Sequence, residues 1–183
     1  MAAGSSQRFG ENKLAAVVGG KTLLERALEA VPTDLVSAVC VVTQYHQAEA
    51  LARRFGFSCV RNEHPEQGIS STIRLGTQRL QRECQALMYL VCDQPLLRRE
   101  SVAALVEFSQ AHPDHIIGAA HGGVRGNPCI FPRRFYPELC ALTGDVGGSA
   151  VIRRHSQALL LYELDGRELA DVDTPQALAA LEE

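Results

Sequence analysis

The sequence predicts an α/β fold, a three-layer sandwich in which helices cover both faces of a mostly parallel central sheet related to the Rossmann type. Three observations predict it. Short apolar runs alternate with helical patterns along the chain. Two of those runs, residues 37–43 (Ser-Ala-Val-Cys-Val-Val-Thr) and 86–92 (Ala-Leu-Met-Tyr-Leu-Val-Cys), are nearly continuous in apolar character, the mark of strands buried on both faces. The stretches beside them carry their apolar residues on one side only.

In chain order, residues 37–43 form the first full strand. Ala48, Leu51, Ala52 and Phe55 then share one helical face, and residues 59–61 read as the next strand. A helix opens within residues 67–74, followed by the strand at 86–92. Val102, Leu105, Val106 and Ser109 share another helical face. Residues 115–120, 129–131 and 158–163 supply further strands, and a short terminal helix bears Leu178 and Leu181. No internal repeat and no Pro/Ser-rich linker divides the 183 residues, so a single domain, 1–183, is expected.

Composition narrows the function. Eighteen basic residues against twenty-one acidic ones leave a net charge of −3 with no long run of one sign. That argues against a nucleic-acid or membrane-surface binder relying on bulk charge. Six cysteines show no C-x-x-C and no clustering with histidine, so neither a disulfide framework nor a zinc site is expected, and a reducing cytoplasm is the natural home. No apolar run approaches the ~18 residues of a membrane span. The sequence has no G-x-S-x-G elbow, Walker-A loop or full G-x-G-x-x-G, so the marks of covalent and hydride-transfer enzymes are missing.

What remains is phosphate chemistry. Gly4-Ser5-Ser6, followed by Arg8, Gly10 and Lys13, outlines an anion cradle. Small residues let backbone N–H groups converge, and the two cations fix positive charge beside them. Gly68 permits a tight turn before a helix, where Ser70, Ser71 and Thr72 either cap that helix or bond a nucleotide. Asp93 follows a buried strand, which aims its carboxylate into the crevice where α/β proteins bind ligands, or else caps the next helix. Gly147 and Gly148 suit a turn or a close backbone approach, and Asp173 or Thr174 caps a helix that has Pro175 at its first position.

The spacing A-A-G-x-S-x-R-x-G-x-x-K over residues 2–13 resembles the signature loop of nucleotidyltransferases, in particular the molybdenum cofactor cytidylyltransferases; Phe9 stands where that family usually has Met. Five later segments resemble the family's motifs in the same order. These are Gly68-Ile-Ser-Ser-Thr-Ile-Arg74, Asp93-Gln94-Pro95, Gly126-Asn-Pro-Cys-Ile-Phe131 with Gly144-Asp-Val-Gly-Gly148, and Asp171-Val-Asp-Thr-Pro175. The resemblance implies a GT-A-like nucleotidyltransferase fold and transfer of CMP from CTP to molybdopterin cofactor with release of pyrophosphate. It implies Arg8, Lys13 and Asp93 as catalytic residues. Ala2, Ala3, Gly4, Ser6, Arg8, Lys13, Gly68, Ser70, Ser71 and Asp93 would bind the nucleotide. Asn127, Pro128, Asp145, Gly147 and Gly148 would line the acceptor side, and Asp93 and Asp173 would hold Mg²⁺, with Asp171 in reserve. A molybdenum hydroxylase would be the client enzyme.

Two alternatives stand beside it. One is a related transferase, guanylyl to the same cofactor or cytidylyl to a sugar or polyol phosphate. The other is a non-catalytic carrier of molybdenum cofactor. The guanylyl branch has A-G-G where this chain has Ala2-Ala3-Gly4, and it lacks Gln94, so CTP is expected over GTP. Members of the family also carry about half a dozen apolar residues before A-A-G. The resemblance therefore implies a missing first strand, through truncation, and weakened folding or loop order as its consequence.

Overall fold

Alternating apolar runs do become strands, and amphipathic stretches helices, in the computed structural model, which describes Met1 and residues 13–179. A 3₁₀ turn at Lys13–Ala15 leads into a small hairpin, β1 (Val17–Val18) and β2 (Lys21–Thr22), and then α1 (Leu23–Glu29). Thr22 starts that helix, its hydroxyl accepting the Glu25 N–H at 3.1 Å, half of the S/T-x-x-E capping pattern. A β-α-β unit follows: β3 (Cys40–Thr43), α2 (His46–Arg54) and β4 (Ser58–Arg61), with the two strands parallel and Cys40 opposite Ser58. Ala48 and Ala52, one helical turn apart, bury one face of α2 with Leu24, Ala27 and Leu28 of α1 and Val41 of β3.

The remaining elements build a four-stranded sheet. They are α3 (Ile69–Leu80), β5 (Ala86–Tyr89), α4 (Arg99–Ala111), β6 (Ile116–His121), β7 (Val124–Pro132), α5 (Tyr136–Cys140), α6 (Ser149–Arg154), β8 (Leu159–Glu163) and α7 (Pro175–Ala179). The strand order is β5-β7-β6-β8. β6 and β8 are parallel, whereas β7 runs antiparallel to both neighbours. The expected strand at 129–131 is thus the end of a nine-residue strand that reverses direction. The reversal is a two-residue hairpin turn at Gly122 and Gly123, both at positive φ (57° and 75°), the backbone that a tight hairpin demands. Successive residues of β6 and β7 enter different cores. Ile116, Cys129 and Phe131 pack with α3, α5 and α6, while Ile117, Ala119 and Ile130 pack with Leu105 and Val106 of α4. Two apolar faces on one sheet, each covered by helices, make the three layers.

All four residues expected on the buried face of α4 are buried, and Ala48 and Ala52 of α2 likewise. The strand expected at 37–43 starts only at Cys40, and the one at 86–92 ends at Tyr89. Among the described residues no hydrogen bonds join β3 to β5. Between them lies an apolar slot of about 450 Å³, lined by Cys40, Val41 and Val42 on one side and by Leu87, Met88 and Tyr89 on the other. Met1 stands at this slot, its ammonium donating to the Leu90 carbonyl at 2.5 Å. Among the described residues no helix is long and apolar enough to cross a membrane, and all six cysteines are free thiols.

Candidate active site

Asp93 lies just beyond β5, where the strand has ended and the chain turns toward α4. Three contacts bind the segment 168–173 to this turn. The Val172 N–H donates to the Asp93 carbonyl at 2.8 Å. Gln94 Nε2 donates to the Leu169 carbonyl at 3.1 Å and to Asp171 Oδ1 at 3.0 Å. Glu168, 3% exposed, accepts from the Arg98 backbone N–H and from its guanidinium. Burial alone would push the Glu168 carboxyl up, but these hydrogen bonds outweigh it and hold the group below its ordinary value. With the segment so strapped, Thr174 caps α7, its hydroxyl accepting the Ala177 N–H at 3.1 Å, and the residue before it, Asp173, comes to face Asp93.

Lys13 joins the two carboxylates. Its ammonium lies 2.8 Å from Asp173 Oδ1 and 3.2 Å from Asp93 Oδ2, with only 12% of the side chain exposed. Burial would lower the lysine pKa, but the hydrogen bonds and charges of Asp173 and Asp93 hold it above the usual value. The pKa of Asp171 is raised by burial and then by the neighbouring Asp93 charge. Two buried acceptors have no hydrogen-bond partner among the described residues, Asp93 Oδ1 and Gln94 Oε1. An unpartnered carboxylate oxygen beside a second carboxylate suits a hard divalent cation such as Mg²⁺, which takes one or two protein carboxylates and completes its shell with water and phosphate oxygens. No cluster of three His, Cys, Asp or Glu side chains is gathered to hold a metal among the described residues.

The start of α3 forms a second group. Gly68 adopts φ 80°, and a Cβ there would lie 2.6 Å from the Gly144 carbonyl oxygen and 2.7 Å from Asp145 backbone atoms. Asp145 Oδ1 accepts the Ile69 N–H at 3.4 Å, so its carboxylate caps α3 from the loop before α6. Ser70 and Ser71 are buried, at 0% and 2%. Ser71 donates to the Gly68 carbonyl at 2.9 Å and accepts from Asn62 Nδ2 at 2.8 Å, while Ser70 donates to the Gln67 carbonyl at 3.4 Å and accepts from Arg74. In this conformation both hydroxyls bond inside the protein. Asn62, which sequence reading passed over, is the hub: fully buried after β4, it donates to Ser71 and Thr72 and accepts the His64 N–H. Its only sequence signal is a polar residue at a strand's carboxyl end.

Of the remaining expected site residues, Asn127 and Pro128 lie in β7 and Gly147 and Gly148 beside α6. Arg125 ties these two stretches, donating to Ser149 Oγ at 2.9 Å. A Cβ on Gly126 would touch Leu169, so β7 also borders the segment that bears Asp173. Gly147 stands against Ile69 and Gly148 against Phe131. The structure therefore gathers Lys13, Asp93 and Asp173 at one point and Gly68, Asp145 and Gly147 at another. Ala2, Ala3, Gly4, Ser6 and Arg8 lie outside the described residues.

The MobA-like NTP transferase domain matches residues 1–159. The purine catabolism protein PucB of Bacillus subtilis (strain 168) is 26% identical, over 96% of this chain and 90% of its own. A probable molybdenum cofactor guanylyltransferase of Geobacillus sp. (strain WCH70) is 27% identical, over 73% of this chain and 68% of its own. The crystal structure of Rv0371C in complex with manganese, from Mycobacterium tuberculosis, has the same fold: TM-score 0.76 at 19% identity, covering 98% of this chain and 94% of that one.

Proposed function

We propose, for a chain that belongs to the MobA-like NTP transferase domain family, that it transfers CMP from CTP to the terminal phosphate of molybdopterin cofactor and releases pyrophosphate. The observation that carries the transferase reading is the meeting of Lys13, Asp93 and Asp173. Transfer of this kind needs no protein nucleophile. An acceptor phosphate oxygen attacks the α-phosphorus in line, a new P–O bond forms, and the bond from the α-phosphorus to the bridging oxygen of the β-phosphate breaks, leaving its electron pair on pyrophosphate. The protein's work is positioning and charge compensation. Asp93 and Asp173 would hold the divalent cation, Mg²⁺ in this reading; the cation supplies charge neutralisation on the phosphates. Lys13 presents a compact positive charge to the leaving pyrophosphate. Asp145 and Asn62 keep the start of α3 in place, and β7 and the loop at 144–148 form the acceptor wall.

The choice of CTP rests on the sequence, in which Ala3 stands where the guanylyl branch has Gly; an extra methyl beside the base would burden a purine more than a pyrimidine, by roughly 1–3 kcal/mol for a methylene-sized difference. Its rival is GTP, favoured by the guanylyltransferase among the similar proteins. A screen of the four nucleoside triphosphates against molybdopterin and sugar-phosphate acceptors, read by pyrophosphate release with Mg²⁺, tests both. Release with CTP and molybdopterin is expected. Equal or faster release with GTP removes the cytidylyl assignment, and tight cofactor binding without pyrophosphate release from any nucleotide removes the transferase in favour of a carrier.

A further inference from the structure

The chain has only two lysines, Lys13 and Lys21; its sixteen other basic residues are arginines. Lys21 is on the surface with Glu29. Lys13 alone reaches the candidate site, and there it does something a phosphate-binding lysine need not do: it bridges the two carboxylates proposed to hold the metal, at 2.8 and 3.2 Å. We propose that Lys13 is a built-in competitor of the divalent cation, holding Asp93 and Asp173 together as an internal counter-ion until the phosphates of a nucleotide draw it away and open the carboxylates to the metal.

Charge and geometry support this. A divalent cation bonded to Asp93 Oδ2 and Asp173 Oδ1 would sit against an ammonium already within hydrogen-bond distance of both oxygens. Two like charges at that range repel strongly in a partly buried site. The ammonium must therefore leave as the cation arrives, and a triphosphate gives it new anionic partners. Lysine suits the exchange, being a point charge on a flexible four-carbon stem that trades partners readily, whereas arginine's rigid fork favours a fixed bidentate pair. The unpartnered Asp93 Oδ1 gives the cation a landing point that Lys13 does not cover. Metal and nucleotide then enter with positive coupling, and metal alone binds weakly. The inference rests on the reading that Asp93 and Asp173 receive the cation, but not on the identity of nucleotide or acceptor.

The test uses Mn²⁺ as probe on the full chain without nucleotide, with unbound Mn²⁺ measured by electron paramagnetic resonance. Lys13→Met, which keeps most of the stem and removes the charge, is expected to bind Mn²⁺ about tenfold tighter than wild type; Lys21→Met is expected to match wild type. A second measurement needs no variant. Acetylation of the wild-type lysines, read by mass spectrometry, is expected to speed up at Lys13 as Mn²⁺ is added, while Lys21 keeps its rate. Mn²⁺ binding by Lys13→Met that is equal to or weaker than wild type overturns the proposal. So does a Lys13 acetylation rate indifferent to Mn²⁺, which decides alone if the variant fails to fold. If both measurements come out as expected while no nucleotide yields pyrophosphate, the competition stands and the transferase reading falls.

Discussion

Asp93 uses one carboxylate oxygen on Lys13 and buries the other without a partner among the described residues. Asp93→Asn should therefore cost the fold little, because no structural bond depends on the second oxygen. In the proposed reaction it removes a charge that holds the metal, and turnover should fall about 10²–10³-fold, the scale seen for removing one strong electrostatic contributor. Pyrophosphate release and a melting curve measured side by side check this, and normal turnover in the variant would sink the site. Asp171 gives the opposite expectation. Its pKa is raised by burial and by Asp93, so at neutral pH its charge works against folding, and protonation relieves this as pH falls through the raised value. Asp171→Asn keeps an acceptor for Gln94 and drops the charge. Its Tm should exceed wild type by about a degree at pH 7, a small gain because solvent screens this exposed charge, and the gain should shrink in acid. At this scale a residue could be named where it sits in a motif: Lys13, Asp93 and Asp173 were named from the resemblance to the cytidylyltransferase motifs, and the structure brings the three side chains together. Asn62 was not named, since a lone asparagine after a strand has no pattern, and its importance comes from the three partners, His64, Ser71 and Thr72, that its side chain holds. Ser70 and Ser71 were named as nucleotide contacts from the resemblance alone; in this conformation both hydroxyls bond inside the protein.

Elements were legible where periodicity is strong. The face of α4 was read residue by residue, but β7 was recovered only in its last third. Val124-Arg-Gly-Asn-Pro has little β propensity, and it is strand because the Gly122-Gly123 turn folds it back along β6. That pair of glycines was the available signal. Gly68 is where one residue decides an element. Its φ of 80° admits a side chain only under strain, and a Cβ would meet backbone rather than a yielding side chain. Gly68→Ala should lose about 2 kcal/mol or more, the left-handed cost plus the displacement of the loop at 144–145. For a chain of this length that is a fall of about 4–8 °C in Tm. Because Asp145 caps α3 through the same contact, nucleotide affinity should weaken with it. An alanine variant as stable as wild type would mean that α3 and the loop can part without consequence.

At the scale of the whole molecule, the site depends on parts that, among the described residues, no strand hydrogen bonds tie together. Lys13 enters beside α1 and the β3/β4 pair, while Asp93 and the strap bearing Asp173 belong to the four-stranded sheet. Between the two lies the apolar slot of about 450 Å³, with β3 on one side and β5 on the other. The order of strands was not read from the sequence: alternation predicts strands and helices, but which edges meet is fixed by what lies between them. The slot has the walls of a strand site, apolar side chains from both neighbours and a backbone carbonyl, Leu90, already engaged by the Met1 nitrogen. A designed segment of five valines and isoleucines fused ahead of Met1 keeps that nitrogen as a donor and offers both edges a partner. Each apolar side chain it buries contributes about 1.5–3 kcal/mol, against an ordering cost of ~1–2 kcal/mol per residue for the backbone alone. The net gain should be a few kcal/mol, or a rise of about 5–10 °C in Tm. A matched segment with lysine at alternate positions should give a much smaller rise, because the strand walls of the slot, Val41, Val42, Leu87 and Met88, are apolar and disfavour a buried charge. Equal stabilisation by both segments would mean that the extension acts elsewhere. A rise with the apolar segment alone, accompanied by tighter Mn²⁺ binding when nucleotide is present, would tie the joining of the two parts to the assembly of Lys13, Asp93 and Asp173.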